Sequence, residues 1–304
     1  MKKIVFWDLD GTLIDTLDDL GAAVNHALAL RGLPQLGPDD FRKMVGRGVR
    51  NLVAQAVEKA AGDAVEKAAE KAAEKAVEKA AEKAAEKAAV EKAAGDAVAD
   101  GSRPALEDVR ADAYIDSALA DFKEYYCANI DVFTRPYPGM PELLSELSKA
   151  GVKMAVVSNK FQEGTERLVK EFFPDVDFVA VLGNRPGWPL KPSPEIVEDV
   201  LRRVAGVGGE PGISRAGGGG ESGISRADAI LVGDSPTDMR TAANGRIDSI
   251  AVTWGYSSQI ELAEFLASDP AFASTPGGPV SHPRFARSVE ELRRMLAEGE
   301  IRGK

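Results

Sequence analysis

Short, largely apolar runs recur along this chain, and most stop on an acidic or small polar residue. That pattern constrains the fold more than anything else in the sequence. The first run, Lys3 to Asp8 (KIVFWD), is β-branched and aromatic and is halted by Gly11. Runs of the same kind follow at Val152 to Ser158, Phe178 to Leu182, Ala229 to Gly233 and Ser249 to Thr253, with helical patterns between them. Four to eight apolar residues in a row, without alternation, read as strands buried on both faces. Strands alternating with helices then imply an α/β fold, a mostly parallel Rossmann-like sheet with helices on both sides.

The interval from about Thr16 to Arg135 interrupts that alternation with helix-like sequence only: Leu17 to Ala29, Phe41 to Val45, a long Ala/Glu/Lys stretch, and Asp112 to Tyr126. It reads as an inserted all-helical cap domain over residues 17–135, leaving 1–16 and 136–304 as the α/β core. Within it, Val57 to Val65 (VEKAAGDAV) recurs identically at Val90 to Val98, an offset of 33 residues, so 57–98 looks like a tandem expansion. Glu-Lys pairs start every fourth residue from Glu66 to Glu86. Helix propensity there is very high, and each Lys faces the next Glu at i,i+3, as Lys71 does Glu74, for a few tenths of a kcal/mol apiece. A period of four rotates the apolar stripe by about 40° per repeat, so no constant seam faces a partner. The segment reads as a solvated helical extension or as a spacer arm. A second duplication, GISRA at Gly212 and again at Gly223, marks residues 206–223 as a Gly-rich surface loop.

The chain has 304 residues and a formal charge of −10, which disfavours nucleic acid as a partner. The segment from Glu58 to Val90 holds seven Glu, one Asp and seven Lys, so the acidity belongs to the rest. One cysteine, Cys127, excludes an internal disulfide framework and fits a reducing, cytoplasmic setting. With only His26 and His282 to assist it, a zinc site is not expected. No segment approaches the roughly 20 apolar residues of a membrane helix, and the apolar run after Met1-Lys2-Lys3 is too short for a secretory signal. Oligomeric state is not encoded in any pattern found.

Ligands of open α/β sheets bind at the carboxyl ends of the strands. The endings here are Asp8-Leu9-Asp10-Gly11-Thr12, Ser158-Asn159-Lys160 and Gly233-Asp234-Ser235-Pro236-Thr237-Asp238, with Lys191-Pro192-Ser193-Pro194-Glu195 before the fourth strand. Each alone has an ordinary reading: a turn, a helix cap, a surface lysine, a first-turn charge. An EF-hand is excluded by the missing further ligands and closing Glu. Together and in this order they resemble the four motifs of the haloacid dehalogenase superfamily, carried here by Asp8, Asp10 and Thr12, by Ser158, by Lys191, and by Asp234 with Asp238. VVSNK, RPYPGM and VTWGY resemble its phosphoglycolate-phosphatase branch. Asp10 distinguishes the phosphatases and phosphomutases of that superfamily from the dehalogenases.

The resemblance implies a Mg²⁺-dependent phosphatase acting on a small phosphorylated metabolite, with phosphoglycolate the leading candidate. Asp8 and Asp234 would supply hard oxygen ligands for the cation, joined by the backbone carbonyl of Asp10. Asp8 would attack phosphorus to form an aspartyl-phosphate, and Asp10 would act as general acid and then base. Ser158 and the backbone amides after it, among them that of Asn159, would bind phosphoryl oxygens at a helix start. The hydroxyl or amide of Thr12 would do the same, and Lys191 would add a point charge. Asp238 would orient Lys191 or a metal-bound water. Gly46-Arg47-Gly48-Val49-Arg50 resembles the loop by which such caps reach the active site, where Arg47 or Arg50 would pair with a substrate carboxylate; surface arginines beside a glycine turn are the alternative. Other readings are a phosphomutase or pyrophosphatase of the same superfamily, or a helical interaction module on an inactive core.

Overall fold

A computed structural model describes residues 2–86, 109–206, 224–272 and 282–297. Six strands, β1 (Ile4–Trp7), β4 (Lys153–Phe161), β5 (Ala180–Asn184), β6 (Ala229–Gly233), β7 (Asp248–Val252) and β8 (Arg284–Ala286), form one sheet in the order β5-β4-β1-β6-β7-β8. Every pairing in it is parallel. Burial on both faces explains the unbroken apolar runs. On one face Val5, Trp7, Met154, Val156, Ile230 and Val232 share a core. On the other, Ile4, Phe6, Ala155, Val157, Ala229 and Leu231 share a second. Helices α5 (Met140–Lys149), α6 (Gln162–Phe172) and α10 (Val289–Ala297) cover the first face, while α7 (Glu195–Val204) and α8 (Pro236–Gly245) cover the second. Helix α9 (Gln259–Ser268) packs Leu262 and Leu266 beyond β7.

Five of the six strands coincide, within two or three residues, with the apolar runs of the sequence. The sixth, β8, was not anticipated, because the three residues Arg284-Phe285-Ala286 carry no periodicity. A two-residue antiparallel pair was missed for the same reason: β2 (Ile14–Asp15) binds β3 (Arg135–Pro136). Between those two strands the described residues form only helices, α1 (Leu17–Ala29), α2 (Pro38–Met44), α3 (Val49–Glu86) and α4 (Asp112–Ala128). The buried Asp19 carboxylate on α1 accepts from the backbone N–H groups of Phe133 and Thr134 and from the Thr134 hydroxyl, tying the exit of the helical segment to its entry.

Helix α3 contributes Leu52, Val53, Ala56, Val57, Ala60 and Ala61 to the core, the i,i+1,i+4,i+5 spacing of one helical face. From Glu66 to Lys71 every residue is exposed. The second copy of VEKAAGDAV, and residues 207–223 of the Gly-rich loop, lie outside the described residues. No helix of the described residues is long and apolar enough to cross a membrane.

The chain order reverses at β1. β4 and β5 extend the sheet to one side of it, and β6, β7 and β8 to the other. A crevice therefore opens beyond the carboxyl ends of β1 and β6, where Asp8 and Asp234 follow their strands.

Candidate active site

β1 hands directly into the first loop. The Asp8 N–H still donates to Val232 O, so the residue is held as the last rung of the ladder, while its Oδ1 accepts from the Leu9 N–H at 2.7 Å. Gly11 then turns the chain at φ +82°, and a Cβ there would sit 2.4 Å from Asp234 Oδ2. Only glycine satisfies both the dihedral and the approach. The Thr12 hydroxyl donates to Asp234 Oδ1 at 3.2 Å.

On the other side of the crevice, the capping box at the start of α8 holds Asp238. Its Oδ2 accepts from the Ser235 N–H and hydroxyl, and its Oδ1 faces Lys191 Nζ at 2.6 Å. Lys191 Nζ lies 2.8 Å from Asp8 Oδ1 as well, so one buried ammonium bridges the acid that follows β1 and an acid in the first turn of α8. Burial works against that charge, but Asp238 and then Asp8 outweigh it and raise the lysine's pKa. Asp8 is itself pushed well above the carboxylate range, chiefly by burial and then by Asp238, with Asp234 adding to the rise and Lys191 opposing it. Burial, with Asp238 behind it, lifts Asp234 to about 7 against the pull of the Tyr256 N–H and Thr12 hydroxyl. One ammonium does not balance this group of acids.

Asp8, Asp234 and Asp238 place carboxylate oxygens within 4.8 Å of one another. An all-oxygen, anionic donor set of this kind suits a hard divalent cation such as Mg²⁺. With all four carboxyls ionised, as a bound cation would favour, Asp8, Asp10, Asp234 and Asp238 exceed Lys160 and Lys191 by two negative charges. Both Asp238 oxygens already serve Lys191 and Ser235, so it supports the pair Asp8 and Asp234 rather than adding a free ligand.

The Asp10 side chain turns away from the other acids. Its Oδ1 accepts from the Thr16 hydroxyl at 2.7 Å and from Lys160 Nζ at 2.9 Å. Ser158, Asn159 and Lys160 sit within β4 where its register against β5 slips, between Val157 and Phe161. This corrects the expectation that Ser158 opens a helix, since α6 starts only at Gln162. Asn159 is likewise not aimed at a phosphate by its side chain. Its Nδ2 donates to Gly46 O and to Lys191 O, and its Oδ1 accepts from the Lys191 N–H, fastening the cap loop and the lysine to β4.

The two arginines of the 46–50 loop do not meet the acids. Arg50 pairs with Asp112 and Asp116 on the exposed flank of α3 and α4. Arg47 lines an outer cleft of about 330 Å³, together with Arg42, Lys43, Ser235 and Tyr256. What the cap does bring to the acids is apolar: Leu20, Val45, Val49, Leu52 and Phe122 roof a chamber of about 40 Å³ floored by Asp8, Asp10, Ser158, Lys160 and Lys191.

Three contributors escaped the sequence reading: Thr16, Lys160 and Tyr256. Tyr256 donates its N–H to Asp234 Oδ2 at 2.7 Å, while its hydroxyl accepts from the Thr16 N–H at 2.8 Å. It so joins the loop after β7 to β2 and, through Thr16, to Asp10. VTWGY signals a strand ending in an aromatic pair, but nothing in it points back to residue 16.

A family model for haloacid dehalogenase-like hydrolases matches residues 2–246. The chain is 31% identical over 265 residues to the phosphoglycolate phosphatase of Caulobacter vibrioides, covering 87% of this chain and 84% of that one. It is 25% identical to that of Aquifex aeolicus, covering 88% and 93%. Among solved structures, a Lactobacillus delbrueckii subsp. bulgaricus protein provisionally named a phosphoglycolate phosphatase superposes with TM-score 0.67 at 27% identity, over 97% of this chain and 99% of that one. Sheet order, acidic crevice and sequence agree, and the chain belongs to the haloacid dehalogenase-like hydrolases.

Proposed function

We propose that this protein is a Mg²⁺-dependent phosphatase that hydrolyses a small phosphate monoester, with 2-phosphoglycolate the leading candidate. The observation that carries the reading is Lys191 Nζ within 2.8 Å of both Asp8 and Asp238 beneath an apolar roof, with a second acid, Asp10, two residues from the first. The names of the similar proteins support the substrate. We take residues 1–16 and 136–304 as the catalytic core and 17–135 as the cap, with the β2–β3 pair at the junction.

In this reading Asp8 and Asp234, with the Asp10 carbonyl, hold the cation, which would neutralise phosphoryl charge and favour in-line geometry. The Asp8 carboxylate forms a bond to phosphorus as the ester P–O bond breaks, and Asp10 delivers a proton to the departing alkoxide oxygen. Water then attacks the aspartyl-phosphate and gives its proton to Asp10, releasing inorganic phosphate and restoring Asp8. Ser158, Thr12 and the amides beside Asn159 bind phosphoryl oxygens, and Lys191, oriented by Asp238, supplies positive charge. The apolar roof excludes bulk water, which strengthens every one of these interactions.

A screen of small phosphate esters, with Mg²⁺ and with chelator, tests the reading. Hydrolysis that requires Mg²⁺ and vanishes in a folded Asp8→Asn variant is expected. Near-normal turnover in that variant would sink the covalent mechanism. Transfer of phosphoryl to a sugar phosphate, or cleavage of pyrophosphate alone, would move the protein to the mutase or pyrophosphatase reading. A helical interaction module would hydrolyse none of the esters.

A further inference from the structure

Lys160 is the cation in the chamber that the phosphoryl chemistry does not use. Its side chain is 3% exposed, its Nζ contacts Asp10 Oδ1 at 2.9 Å, and it lies over the Tyr126 ring at 4.8 Å. Phe122 stacks on Tyr126 and Phe161 meets it edge-on, so an aromatic cluster backs the ring under the ammonium, and Lys160, Phe122 and Phe161 all line the chamber. An ammonium has three donors. Asp10 takes one and the face of Tyr126 another, which leaves the third for the chamber.

Position decides what that donor meets. If Asp10 protonates the ester oxygen, that oxygen lies one hydrogen bond from its carboxylate. Lys160 Nζ is then within about 6 Å of the ester oxygen if Asp10 Oδ1 makes that bond and within about 8 Å if Oδ2 does, taking ~2.8 Å for the bond. A carboxylate on the carbon that bears the ester oxygen spans such a gap; a longer chain would meet the roof of Leu20, Val49, Leu52 and Phe122. A second substrate charge inside this apolar enclosure is costly unless paired. Lys191 is held by two aspartates, and Arg47 and Arg50 stand outside the chamber. Lys160 remains.

We propose that Lys160 selects the leaving group: it receives the carboxylate of a small phosphate ester of a 2-hydroxy acid, and Arg47 and Arg50 do not. The assignment rests on the phosphatase reading above and names the residue that sets its specificity.

The test compares 2-phosphoglycolate with ethyl phosphate, which puts a methyl group where the carboxylate stands. In the wild type with Mg²⁺, kcat/KM should favour 2-phosphoglycolate by about 100-fold or more, the scale expected when a built polar contact is left unmade. Lys160→Met lowers both rates by freeing Asp10, so the readout is their ratio, which should fall by at least about tenfold. Arg47→Ala should keep the wild-type ratio. Equal loss on both substrates in Lys160→Met, or collapse of the ratio in Arg47→Ala, would overturn the assignment. Should Lys160→Met not fold, the wild type decides alone by comparing 2-phosphoglycolate with its carboxamide: a strong preference for the acid supports the proposal, and equal rates overturn it. Hydrolysis of every ester except those with a carboxylate would overturn this inference and leave the phosphatase standing. Hydrolysis of none would remove both.

Discussion

Replacing Lys191 with methionine tests how strongly its buried ammonium offsets the charge of Asp8 and Asp238. The side chain is 2% exposed and contacts Asp8 and Asp238, whose side chains are 9% and 0% exposed. Methionine fills nearly the same volume, so packing is roughly conserved and the perturbation is chiefly electrostatic. Breaking a buried ion pair from one side typically costs about 3–5 kcal/mol, because the partner is left charged and desolvated. Here two partners are left, with Asp234 nearby, so the upper part of that range is expected, within the limit that Asp8 escapes part of the cost by taking up a proton. Against a total stability of roughly 5–15 kcal/mol the loss is severe. Urea unfolding in chelator at neutral pH measures it, and the melting temperature should drop by on the order of 10 °C. A second substitution, Asp238→Asn, removes one stranded charge. In the Lys191→Met background it should cost less than it does alone, with a coupling of about 1–3 kcal/mol. A Lys191→Met protein within about 1 kcal/mol of the wild type in chelator, or strictly additive effects of the two substitutions, would refute the charge argument.

Gly255→Ala should cost about 1–3 kcal/mol by urea unfolding and abolish turnover, because the new Cβ falls 2.3 Å from Gly11 O and 2.4 Å from Asp234 and so forces two loops of the crevice apart. Tyr256→Phe strands the buried Thr16 N–H, worth about 1–3 kcal/mol in the same assay, and should lower kcat by loosening Thr16 against Asp10. Deleting residues 58–90 joins Val57 to Glu91 and restores the sequence VEKAAGDAV after Ala56. The melting temperature and kcat/KM should then stay close to the full-length values, whereas loss of both would show that the expansion carries structure. Addition of Mg²⁺ to the wild type should raise the melting temperature, by the equivalent of about 2.7 kcal/mol at a hundredfold excess over its dissociation constant; no rise at any concentration would argue against the cation site.

The crevice acids were legible because chain order and chemistry coincide there. β1 and β6 are buried on both faces, hence unmistakably apolar, and in a parallel sheet their carboxyl ends must open on the same edge. Asp8 and Asp234 inherit their meeting from topology alone. Lys191 needed the motif resemblance, since no strand end marks it, and its neighbour Asn159 turned out to fix it through the backbone. The cap arginines were read from charge and glycine spacing, which say where a loop bends but not which way its side chains leave it. Arg50 found Asp112 and Asp116 across 62 and 66 residues of sequence, a pairing set by how α3 packs on α4.

Lys160 shows why the residue proposed to set specificity was not legible. In a regular strand Ser158 and Lys160 would share one face and Asn159 the other. The register slip of β4 breaks that alternation, and all three residues are buried against the same chamber. The slip is a backbone event with no residue signature: no glycine or proline occurs from Lys153 to Phe161. Its consequence is chemical, because it brings an ammonium beside Asp10 that a period-two strand would assign from sequence only to one face or the other. In a chain of net charge −10, attraction of an anionic substrate cannot come from the overall field. It has to be local, and the irregularity in β4 is what places a cation beside Asp10, apart from Lys191 beside Asp8.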